Sequence, residues 1–360
     1  MQLQDQNVLF FTRTMALGGT ENVILHLCEV LNPLVNKIVV CSAGGVNEAR
    51  LNEMGIKHYT IPDIENKSIH NLTLVPHTLK KIIKKEKITL IHTHHRMAAF
   101  YVQMLLNIKD IPLINTSHTA FYDKKALTHI AFHRFNMIAC GEGVKKSLVE
   151  GLGFDSGRVK VICNGVKRTQ IQDIDSINEI EKAKMDGKQV FAVIGRLSKE
   201  KGVEYIVKAI PLIKRKDVLC VIVGNGPEET KLKTLVTEQK VEDRCIFLGY
   251  RTDVVNIISQ VDFLVQPSLQ EGLPLVPIEA FSAGKTVIGT RIDGTSEIIN
   301  NKENGILVPP GDEKELAKAI DYMCNIDRCC LERNAIETYE TKYSFEVFSN
   351  EYIKYYEALN

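Results

Sequence analysis

The chain has 360 residues, of which 44% are hydrophobic and 25% charged, with a formal net charge of +1. That length can build two domains with separate cores, and the near-neutral balance gives a nucleic-acid role no bulk electrostatic support. The opening MQLQDQNVLFFT lacks the basic start and long apolar run of a signal peptide, and no stretch approaches a membrane span, so a cytoplasmic protein is expected. The nine cysteines are scattered, form no CxxC pair and in several cases lie inside apolar runs, which suits reduced buried thiols. Cys324, Cys329 and Cys330 have no nearby histidine and are poor metal ligands.

In chain order, NVLFFT, KIVVCSA, ITLIHTH, LINTS and NMIACG read as strands in the first half. KQVFAVIG, DVLCVIVG, RCIFLG, DFLVQPS, TVIGT and ILVPP read as strands in the second. Their apolar character is continuous rather than alternating, as in strands covered on both faces. Amphipathic helical patterns such as ENVILHLCEVL and GVEYIVKAIPLIKR lie between them. Alternating β and α elements imply parallel sheets with right-handed crossovers. The stretch from Asn164 to Lys188 is polar and has no strand-like run, so the break between halves is placed there. The expected class is α/β, with two doubly wound domains facing across a cleft, one over 1–166 and one over 167–342. In the tail, Tyr343, Phe345, Phe348, Tyr352 and Tyr355 or Tyr356 recur at helical spacing and read as core or interdomain packing.

Several loops carry residues suited to an anionic, hydroxyl-rich ligand. Gly18-Gly19-Thr20-Glu21 follows the first strand and opens a helix; it either lets a phosphate approach the backbone or simply makes a βα turn. Gly195-Arg196-Leu197-Ser198-Lys199-Glu200-Lys201-Gly202 lies at a strand's carboxyl end. There Arg196 offers a bidentate grip on phosphate and Lys201 a compact charge, which favours a diphosphate site over a merely solvated loop. Val223-Gly224-Asn225-Gly226-Pro227-Glu228-Glu229 begins like a dinucleotide fingerprint, but Glu229 replaces the third glycine, and NAD binding is discounted.

The stretch QPSLQEGLPLVPIE, Gln266 to Glu279, spaces Glu271 and Glu279 eight positions apart. A strand ends, a tight loop through Gly272, Leu273, Pro274 and Leu275 offers free N–H groups, and a helix N-terminus favours a phosphate. Glu279, about two turns into that helix, suits sugar hydroxyls. His92, His94, His95 and His118 all lie at carboxyl ends of first-half strands without metal-ligand spacing. His118 is the functional candidate among them, able to meet a sugar hydroxyl or a phosphate. Asp173-Ile174-Asp175 matches a DxD metal triplet by letters only. Two basic segments, Leu79 to Lys87 and Lys124, Lys125, His129, His133 and Arg134, fit a membrane-surface helix and an ordinary solvated helix face alike.

Over essentially its full length the chain resembles the retaining GT-B glycosyltransferases of family 4. The resemblance rests on GGTE, SHT, ICNGV, GRLSKEKG, VGNGP, FLGYRTDV, PSLQEGLPLVPIEAFSAGKTVIGT and NGILVPPGD, in that order. YSFEVFSNEYIKYYE is similar to the family's closing helix, which would return 343–360 to the first domain. By the resemblance, Arg196 and Lys201 hold the donor diphosphate and Glu279 accepts from the ribose hydroxyls. Glu271 contacts the donor sugar, with the backbone of Gly272, Leu273, Pro274 and Leu275 meeting sugar and phosphate. Gly18 and Gly19 approach the phosphates, His118 sits over the donor sugar, and Tyr250 and Arg251 border the base. It also implies no metal or other cofactor and a nucleoside diphosphate sugar (UDP-sugar foremost) as co-substrate; no carboxylate is clearly placed as a covalent nucleophile on the opposite face of the sugar, which favours same-face attack by an acceptor hydroxyl. The acceptor implied is a lipid-linked or polysaccharide glycan of a bacterial surface, reached from the cytoplasmic face of the membrane. One departure is Cys163 where many members carry proline before Asn164-Gly165, which leaves the turn intact. Rival readings are a nucleotide-sugar epimerase of the same architecture, a two-lobed sugar-binding protein and a nicotinamide dehydrogenase. The missing signal peptide argues against the second and the broken fingerprint against the third.

Overall fold

A computed structural model describes residues 2–105, 108, 110–121, 124–168 and 175–359. The chain forms two compact units, Met1–Asn164 with Phe348–Asn360, and Gly165–Val347. The first unit holds seven parallel strands: β1 Asn7–Phe11, β2 Lys37–Ser42, β3 Lys57–Thr60, β4 Leu90–Thr93, β5 Leu113–Ser117, β6 Asn136–Ala139 and β7 Val159–Val161. Their order across the sheet is β3-β2-β1-β4-β5-β6-β7. The second unit holds β8 Gln189–Ile194, β9 Val218–Val223, β10 Cys245–Gly249, β11 Phe263–Gln266, β12 Val287–Thr290 and β13 Gly305–Val308. These are parallel too, in the order β10-β9-β8-β11-β12-β13.

Both sheets are therefore doubly wound, as the alternating pattern implies. Strand order reverses between β1 and β4 in one unit and between β8 and β11 in the other. At such a reversal successive crossovers leave in opposite directions, and the loops at the carboxyl ends of the two central strands part to leave a crevice. β1 and β9 are buried at every position, which is why they read as unbroken apolar runs. In the second unit Phe191 of β8 and Phe263 of β11 stack with ring centroids 5.5 Å apart across the reversal.

Two strands escape the sequence reading, β3 and β7, and both are sheet edges. KHYT is half exposed, and its Lys57 and Tyr59 donate to Oε1 of the buried Glu86 at 3.0 Å and 2.5 Å. VKV has only three residues. The polar stretch before β8 also contains more structure than expected. Asn178–Met185 is a helix that buries Ile180 and Ala183, two apolar positions too few to stand out among its charges. Asp173, and with it the DxD reading, lies outside the described residues. The closing helix Phe345–Ala358 buries Phe348, Tyr352 and Tyr356, as their spacing predicts, while Phe345 and Tyr355 remain half-buried.

Helix Ile69–Glu86 carries the first basic segment. It buries Val75, Leu79, Ile82 and Glu86 in the core of its own unit and turns Lys80, Lys81, Lys84 and Lys85 to solvent. Its apolar face is already covered. The second basic segment differs: helix Lys125–Phe132 leaves Ile130 57% exposed, beside exposed Lys124, Lys125, His129 and His133. Among the described residues no helix is long and apolar enough to cross a membrane.

Candidate functional site

In the second unit Arg196, Lys201 and Glu271 gather at the strand reversal, whereas Tyr250 and Arg251 follow edge strand β10. β8 ends at Ile194, and Gly195 and Arg196 follow; Arg196 is exposed. The chain then makes a short turn of helix, Lys199–Lys201, closed by Gly202 in the left-handed region at φ 63°. A Cβ on Gly202 would lie 2.2 Å from the Pro267 carbonyl oxygen, so a glycine is required for this loop to press against the end of β11. Leu269 N–H donates to the Glu200 carbonyl at 2.8 Å and ties the same two loops.

That close approach delivers Lys201 to Glu271. Lys201 Nζ lies 2.6 Å from Glu271 Oε1. The same oxygen accepts from Gln266 Nε2 at 2.9 Å and from Ser268 Oγ at 2.7 Å. Gln266 also donates to Ser268 Oγ at 2.8 Å, and Thr290 Oγ1 donates to the Ser268 carbonyl. Gln266 and Ser268 are buried, so three donors converge on one oxygen from fixed positions. The sequence reading missed both. Their signal was there: two polar residues at i and i+2 closing an apolar strand, where no water is available to satisfy them.

Gly272, Leu273 and Pro274 are buried, and Leu275 begins the helix Leu275–Ser282. Glu279 therefore lies little more than one turn into that helix, not two. Part of its surface stays accessible, yet protein crowds it closely enough that desolvation pushes its carboxyl up to about 7. The two carboxyls of the motif thus sit in opposite settings. Glu271 is matched by a cation and two hydrogen bonds, whereas burial works against charge on Glu279.

The other second-unit loops support this edge. Gly224, at φ 134°, lies against the Gly195 carbonyl oxygen, which a Cβ would meet at 1.9 Å. The glycines of VGNGP thus let the loop after β9 cross the loop after β8, a packing role in place of a dinucleotide turn. Pro227 lies in the turn before the helix that begins at Glu229. After β10, Arg251 forks onto Asp253 at 2.8 Å and 2.6 Å and holds that carboxyl down at about 2, while Tyr250 stays 44% exposed.

In the first unit Gly18 precedes the helix Gly19–Leu31. Glu21 folds back over it, so that a Cβ on Gly18 would lie 2.4 Å from Glu21 Oε2; Oε1 of the same carboxylate accepts from Thr14 Oγ1 at 2.8 Å. His118 lies one residue past β5, with its Nε2 3.1 Å from His94 Nδ1. Burial, with a smaller contribution from His95, pushes His118 down to about 4, so it is neutral at pH 7. Of the remaining histidines, His92 and His94 are buried behind it, and His95 caps the helix Arg96–Gln103 by accepting from Met97 N–H at 3.1 Å. Among the described residues no group of three or more His, Cys, Asp or Glu is arranged to hold a metal ion.

Two family models match the chain: "Glycosyltransferase Family 4" over residues 17–170 and "Glycosyl transferases group 1" over 175–342. UDP-Gal:alpha-D-GlcNAc-diphosphoundecaprenol alpha-1,3-galactosyltransferase of Escherichia coli is 25% identical over 330 residues, 84% of either chain. The phosphatidylinositol N-acetylglucosaminyltransferase GPI3 subunit of Saccharomyces cerevisiae is 23% identical over 87% of this chain and 73% of its own length. Among solved structures, Anabaena HepE in complex with UDP-glucose superposes with a TM-score of 0.84 at 19% identity, over 98% of this chain and 99% of that one.

The raised carboxyl of Glu279 has a consequence for stability. Between its ordinary value of 4.5 and about 7, the folded chain holds a proton that the unfolded chain has released. Stability from this group is therefore greatest below 4.5, falls as pH rises, and levels off above about 7. Glu279→Gln should raise the melting temperature relative to the parent at pH 8 and leave it nearly unchanged at pH 4. An equal shift at both pH values in thermal denaturation would contradict the desolvated carboxyl.

Proposed function

As the chain belongs to the GT-B glycosyltransferases, family 4 in its first half and group 1 in its second, and so draws on a nucleotide sugar, we propose that it transfers a hexose or related sugar from a UDP-sugar to an acceptor hydroxyl with retention at the anomeric carbon. The carrying observation is the convergence of Lys201, Gln266 and Ser268 on one oxygen of Glu271, at the strand reversal and in the same loop pair as exposed Arg196. The UDP preference draws on the E. coli relative, named for a UDP-galactose donor, and on the UDP-glucose complex of Anabaena HepE.

In this reading Arg196 and Lys201 grip the diphosphate, and the N-terminus of Leu275–Ser282 adds its partial positive charge. Lys201 is already held by Glu271, so it presents its remaining ammonium hydrogens without reorganising. Glu271 Oε1 is taken by three donors, and the carboxylate's other oxygen is the one offered to the donor sugar's hydroxyls. Glu279 accepts from the ribose hydroxyls and is poised to ionise as they bind. The backbone from Gly272 to Leu275 lines sugar and phosphate. Tyr250 borders the base; Arg251, already paired with Asp253, shapes that loop. Gly18 and Gly19 are assigned to the phosphates, and neutral His118 to a sugar oxygen rather than a phosphate.

The C1–O bond to the departing phosphate breaks as the acceptor oxygen bonds to C1 from the same face. The acceptor's proton passes to an oxygen of the leaving diphosphate. Fixed positive groups stabilise that leaving group, so the reading calls for no divalent metal. The acceptor in this reading is a glycan, lipid-linked or part of a surface polysaccharide; the E. coli relative, named for a GlcNAc-diphosphoundecaprenol acceptor, supports the lipid-linked form. Docking at an anionic membrane surface would use helix Lys125–Phe132, with exposed Ile130 among basic side chains.

Arg196→Ala and Lys201→Ala should each lower turnover by at least roughly tenfold through lost charge stabilisation; near-parental turnover with both replaced would sink the diphosphate assignment. A thermal-shift screen of UDP-, GDP-, ADP- and TDP-glucose should show stabilisation by the UDP sugar above the rest, and no response to any of them would refute the donor reading. Co-sedimentation with anionic vesicles at low salt should recover the protein and lose it with Ile130→Glu; a protein that stays in the supernatant at low salt removes the membrane contact.

A further inference from the structure

His118 is the outermost of three stacked imidazoles in the first unit. The His94 ring lies between His92, with centroids 4.3 Å apart, and His118, with centroids 5.4 Å apart. Phe10 packs on His92 at 5.5 Å and on His94 at 5.6 Å. Both nitrogens of His92 are engaged, Nδ1 with the Tyr356 hydroxyl and Nε2 with Thr116 Oγ1, each at 2.7 Å. Burial holds all three rings below the ordinary histidine range, so all are uncharged at pH 7.

One proton must therefore lie between His94 Nδ1 and His118 Nε2, 3.1 Å apart. Two arrangements are possible. If His118 donates, neutral His94 must carry its own proton on Nε2. That atom is buried and has no hydrogen-bond partner among the described residues, and His94 as a whole is only 4% exposed. An N–H buried against nothing forfeits its whole hydration, and among backbone groups orphaned buried donors are rarer in folded proteins than under-satisfied acceptors. If His94 donates instead, its orphan Nε2 is a bare lone pair, and the cost is smaller. The second arrangement leaves His118 with its only N–H on Nδ1.

We propose that His94 is a positioning residue that fixes His118 as the Nδ1–H tautomer, so that His118 can meet a ligand only as a donor, through Nδ1, to a sugar oxygen. The ligand class rests on the donor reading above; the tautomer does not. The partner it selects is a hydroxyl or ring oxygen of an uncharged sugar, because a neutral donor lacks the charge that would favour a phosphate. His94 itself need not touch the sugar.

The test is long-range ¹H–¹⁵N NMR of the full chain labelled at histidine, at pH 7 and without ligand. His118 should show a protonated Nδ1 and an unprotonated Nε2. His94→Leu, which keeps an apolar filler but removes the donor, should release His118 to the Nε2–H form that free imidazole prefers. His94→Asn, whose amide nitrogen can occupy the place of Nδ1, should restore the parental pattern. UDP-glucose should move the Nδ1–H signal. Its affinity relative to UDP should fall roughly tenfold in His94→Leu, the worth of one net hydrogen bond, and recover in His94→Asn. A parental His118 protonated on Nε2, or a tautomer unaffected by His94→Leu, overturns the proposal. The parental spectrum alone decides it should His94→Leu not fold. The expected tautomer together with a chain that ignores UDP-glucose would instead overturn the donor reading and leave the role of His94 standing.

Discussion

One carboxylate oxygen, Glu271 Oε1, organises the edge of the second unit where the strand order reverses. Lys201, Gln266 and Ser268 all donate to it, and two of these three side chains have no access to water. A half-buried carboxylate cannot remain charged in such a place without this matching. The matching in turn demands that the loop after β8 reach the end of β11, and that approach is open only to glycine at position 202. The parallel sheet sets the same demand from below, because β8 and β11 are neighbours only where the strand order reverses. Ion pair, glycine and topology are thus three aspects of one constraint.

The two acidic residues of the motif divide the electrostatic labour. Glu271 meets a cation and two hydrogen-bond donors on one oxygen before any ligand arrives. Glu279, facing only desolvation, is near its titration point at neutral pH. Burying a carboxyl without a cation costs stability, and the position holds an acid nonetheless. Structural economy would place an amide or an apolar residue there, so the cost is of the kind tolerated for binding.

In the first unit the edge combines charged groups, where Arg13 pairs with Asp63 and Glu21 accepts from the Thr14 hydroxyl, with the uncharged imidazole stack behind His118. His92 links it to Tyr356 of the closing helix, and Thr116 meets Tyr352 of the same helix at 3.2 Å. The tail aromatics therefore do more than fill the core: two of their hydroxyls complete the polar network behind His118, which explains why tyrosine rather than phenylalanine stands at 352 and 356. Periodicity alone marked these positions as buried, and it was silent about what their oxygens touch.

From the chain alone the α/β class, both doubly wound sheets, eleven of the strand-like runs and the loops after β8 and β11 were legible, because buried parallel strands must be apolar along their whole length and ligand loops must interrupt them with glycine and charge. Edge strands β3 and β7 were not, since β3 carries polar side chains and β7 has only three residues. Arg196, Lys201, Glu271 and Glu279 were legible as residues but not as an arrangement. That Lys201 pairs with Glu271 and that His94 stands behind His118 depend on contacts between segments far apart in the chain, that Gln266 and Ser268 share the same oxygen depends on how one loop folds back on its own strand, and that Glu279 is desolvated depends on what packs around its helix. Local pattern encodes which face of an element is buried. Only the packing of one loop on another decides which polar atoms meet there, and with them the charge each side chain carries.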